Sequence, residues 1–213
     1  MGSSSDVHRN VCQLLLEHGV FGEEDLIDRL GDCIDRHKQD AKRLKIKRHD
    51  DESRNQQQLG KVVDQVNAQL EPLQLKVARM RSKISGEWLT YYGVVNLNED
   101  DALGAHAVSL SKSEQEFFHR LVGDILSCDE RRVEATEATN IGRDLVSTTR
   151  LSAADANRCL EKLELGQWLA KSDDGFYSLG VRTELQRRYM SDDDRTAKVD
   201  ADAPSQAATQ AVD

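Results

Sequence analysis

Uninterrupted apolar runs of the roughly 18 to 20 residues that a bilayer-spanning helix needs do not occur in this sequence, so no membrane-spanning helix is expected. The first ten residues, MGSSSDVHRN, have no apolar h-region of a secretory signal, and Asp6 stands where a myristoylation motif wants Ser or Thr. A cytosolic or nuclear protein is expected. Aromatic residues make up only 5%, against 31% charged, which suits helical modules with wet surfaces rather than a membrane protein. Four cysteines, Cys12, Cys33, Cys128 and Cys159, lie far apart with no CxxC. Buried free thiols are expected of them, a zinc site shared with the six histidines being the alternative. Among catalytic signatures, no Gly-rich phosphate loop, HExxH pair or nucleophile elbow is found. No catalytic residue, cofactor or small-molecule substrate is therefore expected. The carboxylate clusters at Asn98–Ala102 and Ser172–Gly175 read as solvated loop charge.

The apolar residues that are present fall into two repeats of one order. Val7, Val11, Leu14 and Leu15 are spaced for a helix closed by Gly19, and Leu26, Ile27, Leu30, Cys33 and Ile34 for a second. Residues 40–58 lose that period and read as a long basic and Gln-rich connection. Leu59, Val62, Val63, Val66 and Leu70 then mark a third helix ending before Pro72. The stretch LQLKVARMRSKISGEWLTYYGVVNL follows as two strands around a tight turn. In the second half, Ser111 and Glu114 form a capping box ahead of a broad stripe from Phe117 to Leu126. ATEATNIGRDL gives a shorter second helix. Ser152 and Asp155 start a third helix that stops at Gly166 and leads into a hairpin turning at SDDG, and LGVRTELQRRYM reads as a closing helix.

Three helices and a hairpin, twice, predict a mainly α protein with small β hairpins, a pair of tandem winged helices. Domain A covers residues 1–100, with the insertion at 40–58, and domain B residues 101–190. The tail, 191–213, has a disordered composition.

The net charge is −9, divided as −2 over residues 1–100 and −7 over residues 101–213, so any nucleic-acid contact is expected in the first half. There Lys42, Arg43, Lys45, Lys47 and Arg48 cluster in the connection, and Arg79, Arg81 and Lys83 alternate along one face of the first wing strand. These eight residues are candidates for weak, salt-sensitive contact with duplex DNA, with a solvated loop balanced by residues 50–52 as the plain alternative. The third helix of the second half carries Asp155, Glu161 and Glu164 against Arg158 and Lys162, which suits protein docking better than phosphates. Tyr91 and Tyr92 point to opposite faces of a strand, one for the core and one left as a candidate partner anchor. Trp88 is expected to pack in the core.

The YYxxVNL segment at Tyr91–Leu97, the Phe-rich helix beyond it and the WLAKSDDGFY wing resemble, in that order, the non-structural maintenance of chromosomes element one family. Its members are subunits of the SMC five/six complex, and the resemblance covers roughly residues 7–190. It implies tandem winged helices, a MAGE-type winged-helix partner, a kleisin subunit, and service in DNA repair and recombination at the chromosome in the nucleus. Family members also carry a RING-like zinc domain that supports ubiquitin transfer with the MAGE partner. A RING closes two tetrahedral zinc sites with about eight Cys and His ligands, and no Cys or His follows Cys159. Zinc is expected only where a RING is present, so the chain is not expected to be an enzyme by itself, and the composition of the tail favours a natural member without a RING. The leading expectation is a scaffold subunit docking a MAGE-type partner. A component of a RING-type ubiquitin ligase and a stand-alone, non-specific DNA-binding regulator are the alternatives.

Overall fold

The computed structural model describes residues 6–36, 52–84, 87–97, 110–146 and 150–190. The cluster Lys42, Arg43, Lys45, Lys47 and Arg48, the link around residues 98–109 and the tail 191–213 lie outside the described residues.

The first module begins with α1 (Asp6–His18), in which Val11 and Leu15 are buried one turn apart. Gly19 closes it in a left-handed conformation at φ 83°, its N–H donating to the Leu15 carbonyl at 2.8 Å. The chain reverses there into β1 (Val20–Gly22) and α2 (Glu23–Arg36), whose acidic first turn complements the positive end of the helix dipole. The third helix, α3 (Glu52–Leu70), buries Leu59, Val62, Val66 and Leu70. It starts within the segment expected as connection: residues 52–58 are helical, with polar Asn55 buried one turn before Leu59 and Gln56 Nε2 donating to Glu23 Oε2 on α2 at 3.0 Å. A single 3-10 turn containing Pro72 ends it. Strands β2 (Leu75–Ile84) and β3 (Glu87–Asn96) then pair antiparallel over ten positions, from Leu75 opposite Asn96 to Ile84 opposite Glu87. β1 joins the free side of β3, for a strand order β1-β3-β2.

The second module repeats this arrangement. α4 (Lys112–Ser127) opens on the predicted capping box: the Ser111 hydroxyl accepts from the Glu114 N–H at 3.3 Å, and Glu114 Oε2 accepts from the Ser111 N–H at 2.6 Å. β4 (Arg132–Glu134), α5 (Ala135–Asp144), α6 (Ala153–Leu165), β5 (Leu169–Lys171) and β6 (Phe176–Leu179) follow, with strand order β4-β6-β5. Phe117, Phe118, Leu121, Ile125, Leu160 and Leu163 fill the core, and Trp168 meets Phe118 edge to face with ring centroids 5.8 Å apart. α6 stops at Gly166 as expected, although the left-handed residue is its neighbour Gln167, at φ 60°. The chain is thus a pair of winged helices. The three-residue strands β1 and β4, which complete each sheet, were not among the predicted elements.

α7 (Val181–Met190) is the closing helix, and it serves both modules. In β2 and β3 the even residues Ala78 and Met80 share a face with Gly93 and Val95. Leu185 of α7 is buried on that face beside Val20, so the first sheet is covered on both sides. The side chain of Gln186 acts as a short strand past the end of β1: its Oε1 accepts from the Asn96 N–H at 2.9 Å and its Nε2 donates to the Asn96 carbonyl at 2.7 Å. Gly93 permits the approach, since a Cβ there would stand 2.5 Å from Val20 and 2.7 Å from Leu185. At the other end, the Thr183 hydroxyl donates to the Trp168 carbonyl at 2.6 Å, and the Arg182 guanidinium lies 4.3 Å over the Trp168 ring while pressing on Gly19. α7 thus packs on strands of both modules, on β2 and β3 of the first and β5 of the second.

Candidate docking surface

The longer wing carries the most exposed chemistry. β3 is exposed from Glu87 to Leu89, half-buried at Thr90 and Tyr91, and buried from Tyr92 onward. The hairpin thus projects beyond the helices that cover its base. On one face, register places Arg79 opposite Tyr92, Arg81 opposite Thr90 and Lys83 opposite Trp88. The alternation predicted for the three basic residues holds in this register; the side chain of Lys83 lies outside the described residues. Arg79 is exposed, with Nη2 3.9 Å from Glu23 Oε1, and the Arg81 guanidinium lies 6.0 Å over the Trp88 ring.

Tyr92 fills the core of the first module at 5% exposure, and its hydroxyl donates to Glu23 Oε1 at 3.1 Å. Tyr91 faces α7 and is half-buried; burial, with the Asp25 carboxylate adding to it, pushes its phenol above the ordinary value. Of the pair, Tyr92 is thus the core residue, and Tyr91 is the half-buried one, packed on the side of the sheet that holds Leu185. Trp88 is corrected in the opposite sense. It is 61% exposed, and Leu89 is 42% exposed on the other face of the strand. Sequence reasoning gave Trp88 to the core because it is large and sits in a strand; only its place next to the turn signals that no helix reaches it.

The second module turns a different face outward. On α6, the Arg158 guanidinium pairs with Asp155 three residues before it, and Lys162 Nζ is 3.1 Å from Glu114 Oε1 on α4. Burial alone would raise the Glu114 carboxyl, but the Ser111 N–H and hydroxyl and the Lys162 ammonium together hold it below the usual carboxylate range. In the second wing, Arg132 pairs with Glu130 at 2.8 Å and Asp174 at 2.9 Å and lies 4.2 Å over the Phe176 ring. Arg158 and Lys162 of α6 and Arg132 beside this wing are thus tied to carboxylates of the same chain, and phosphates would have to displace those, whereas Lys171 on β5 lies 5.5 Å over the Tyr177 ring. A cleft of about 580 Å³ separates the longer wing from the second module, lined by Ser82, Arg131, Ala170, Leu179, Glu184 and Arg187 among others. Among the described residues, no group of three or more His, Cys, Asp or Glu side chains is placed to hold a metal ion. His119 is exposed on α4, and His106 lies outside the described residues. No helix among the described residues is long and apolar enough to cross a membrane.

The family model described as Nse1, the non-SMC component of the SMC5-6 complex, matches residues 8–185. The chain belongs to this Nse1 family. Among curated Nse1-family relatives it is similar to the "Non-structural maintenance of chromosomes element 1 homolog" of Homo sapiens, 24% identical over 186 residues, and to that of Bos taurus, 25% identical over 188 residues. Each alignment covers 87% of this chain and 63% of the relative, so the Nse1-family sequence in hand spans under two thirds of the relatives it matches. Its fold is that of a chain in the solved "Nse1-Nse3-Nse4 complex", with a TM-score of 0.66, 20% identity, and coverage of 85% of this chain and 71% of the other.

Proposed function

We propose that this Nse1-family chain is a scaffold subunit of the SMC five/six complex, docking a MAGE-type winged-helix partner and the kleisin subunit in the service of DNA repair at the chromosome, in the nucleus. The observation that carries this reading is the spent charge of α6. In a helix that reads DNA, outward Arg, Lys, Asn or Gln side chains must be available to bases and phosphates. Here Arg158 is bound to Asp155 and Lys162 to Glu114. Family membership and a fold shared with a chain of an assembled Nse1-Nse3-Nse4 complex support the same reading. Protein docking suits this face better than phosphates do, because with Arg158 and Lys162 paired, the exposed carboxylates of Glu161 and Glu164 leave it an acidic surplus.

The test is size-exclusion chromatography with light scattering of this chain mixed with the MAGE-type subunit of the same organism. The expected result is a 1:1 complex that persists at moderate salt. Two separate peaks at micromolar concentration would overturn the reading.

A further inference from the structure

The two wings are built alike and finished differently. In the second, Tyr177 is buried, Phe176 lies under Arg132, and the turn is Ser172, Asp173, Asp174 and Gly175, a polar end suited to water. The first is a hairpin with ten residues in each strand, whose projecting end displays Trp88 at 61% and Leu89 at 42% exposure. Register puts Trp88 on the face of Arg79 and Arg81 and Leu89 on the opposite face with Ser82. Neither apolar side chain belongs to any of the three hydrophobic cores. A hairpin end that shows one large apolar side chain on each face is shaped to be surrounded. A flat surface would meet only one of the two.

We infer that the end of the first wing is the anchor of the docking proposed above, inserted into an apolar cleft with an acidic rim on the protein partner. The inference rests on the scaffold reading and names where its binding energy is concentrated. Trp88 supplies the largest apolar area, and the Arg81 guanidinium over its ring limits the freedom the indole loses on binding. Arg81 stands exposed, and Arg79, 44% exposed, is held only loosely by Glu23 at 3.9 Å, so on a chain whose net charge is −9 this end selects an acidic rim and turns away a second copy of the same chain. Duplex DNA is the less fitting occupant: phosphates would engage the arginine face and leave Leu89 in water.

The experiment uses the full chain with the MAGE-type and kleisin subunits. Site-resolved oxidative footprinting reads Trp88 in the free chain and in the assembly, with buried Trp168 as internal reference. The affinities of Trp88→Ala and Leu89→Ser are measured alongside, both at exposed positions that leave the cores intact. The expected result is protection of Trp88 in the assembly and a loss of affinity of at least about tenfold for Trp88→Ala, as for an aromatic hot spot. If the wild-type chain assembles while Trp88 stays as oxidisable as before and both variants bind equally well, the inference falls and the scaffold reading stands. If the wild-type chain does not assemble, both fall together. Protection of Trp88 by a short DNA duplex acting on the chain alone would also overturn it, giving the wing end to nucleic acid.

Discussion

At the scale of single residues, the chain uses small and polar side chains to let large elements approach each other. Gly180 is one such place: a Cβ there would lie 2.2 Å from the Gln167 carbonyl oxygen, at the point where the Gly180 N–H donates to the Trp168 carbonyl at 2.9 Å. Cys159 marks how closed the neighbouring core is. It is fully buried on α6, and that burial, reinforced by the Glu114 carboxylate and opposed by the Lys162 ammonium, pushes the thiol up to about 12. A raised folded value means that the neutral thiol persists through neutral and mildly alkaline pH, so the reactive thiolate is scarce and has no access to solvent. Iodoacetamide at mildly alkaline pH is accordingly expected to leave Cys159 unmodified in the folded protein and to modify it in urea, as read by peptide mass mapping. Labelling of Cys159 in the folded protein at the rate seen in urea would mean that the core beneath α6 opens freely.

At the scale of elements, what could be read from the sequence was whatever repeats along a helix or caps one. The capping box at Ser111 and Glu114, the Ser152 cap and the strands on either side of residues 85–86 stand where spacing placed them. β1 and β4 escaped because three residues are too few to express a period, and pairing with β3 and β6, distant in sequence, is what makes them strands. The start of α3 was missed for a related reason: residues 52–58 are all polar, and what holds them helical, burial of Asn55 and the hydrogen bond of Gln56 to Glu23 on α2, is tertiary. Arg79, Arg81 and Trp88 of the candidate site were visible as residues. Their exposure was not, because it depends on how far the helices reach along the hairpin. The best-read element also carries a prediction. Glu114 both completes the cap of α4 and holds Lys162 of α6, so α4 and α6 share one polar anchor. Replacing Ser111 by Ala removes the cap acceptor and is expected to cost about 1 kcal/mol, measured as a shift of the urea midpoint at unchanged m-value. A midpoint within error of wild type would mean that the α4 terminus finds water as good a partner.

At the scale of the whole molecule, α7 converts two small domains into one cooperative body. The first module exposes the far face of its sheet unless α7 covers it. Leu185 fills that face beside Val20, Met80 and Val95, while Gln186 closes the Asn96 backbone. Burial of Leu185 and both Gln186 hydrogen bonds are made across the module boundary, so neither survives if one module unfolds alone. Protein carrying Trp88→Phe, so that Trp168 is the one fluorophore of its kind, is therefore expected to unfold in a single urea transition, with circular dichroism, which sees the helices of both modules, coincident with the fluorescence of buried Trp168, which reports the second. Leu185→Ala is expected to cost about 2 to 5 kcal/mol, and Gln186→Ala about 1 to 3 kcal/mol through the unpaired Asn96 amide and carbonyl. The distinguishing feature of Leu185→Ala is separation of the two probes, with part of the helical signal lost before the fluorescence changes, because the first module loses the cover of its sheet while Phe117, Phe118 and Trp168 keep the second together. A variant that is destabilised by this amount yet keeps the two probes superimposed would show that the modules are coupled through contacts other than α7, and the closing helix would then be a passenger on the first sheet rather than its link to the second.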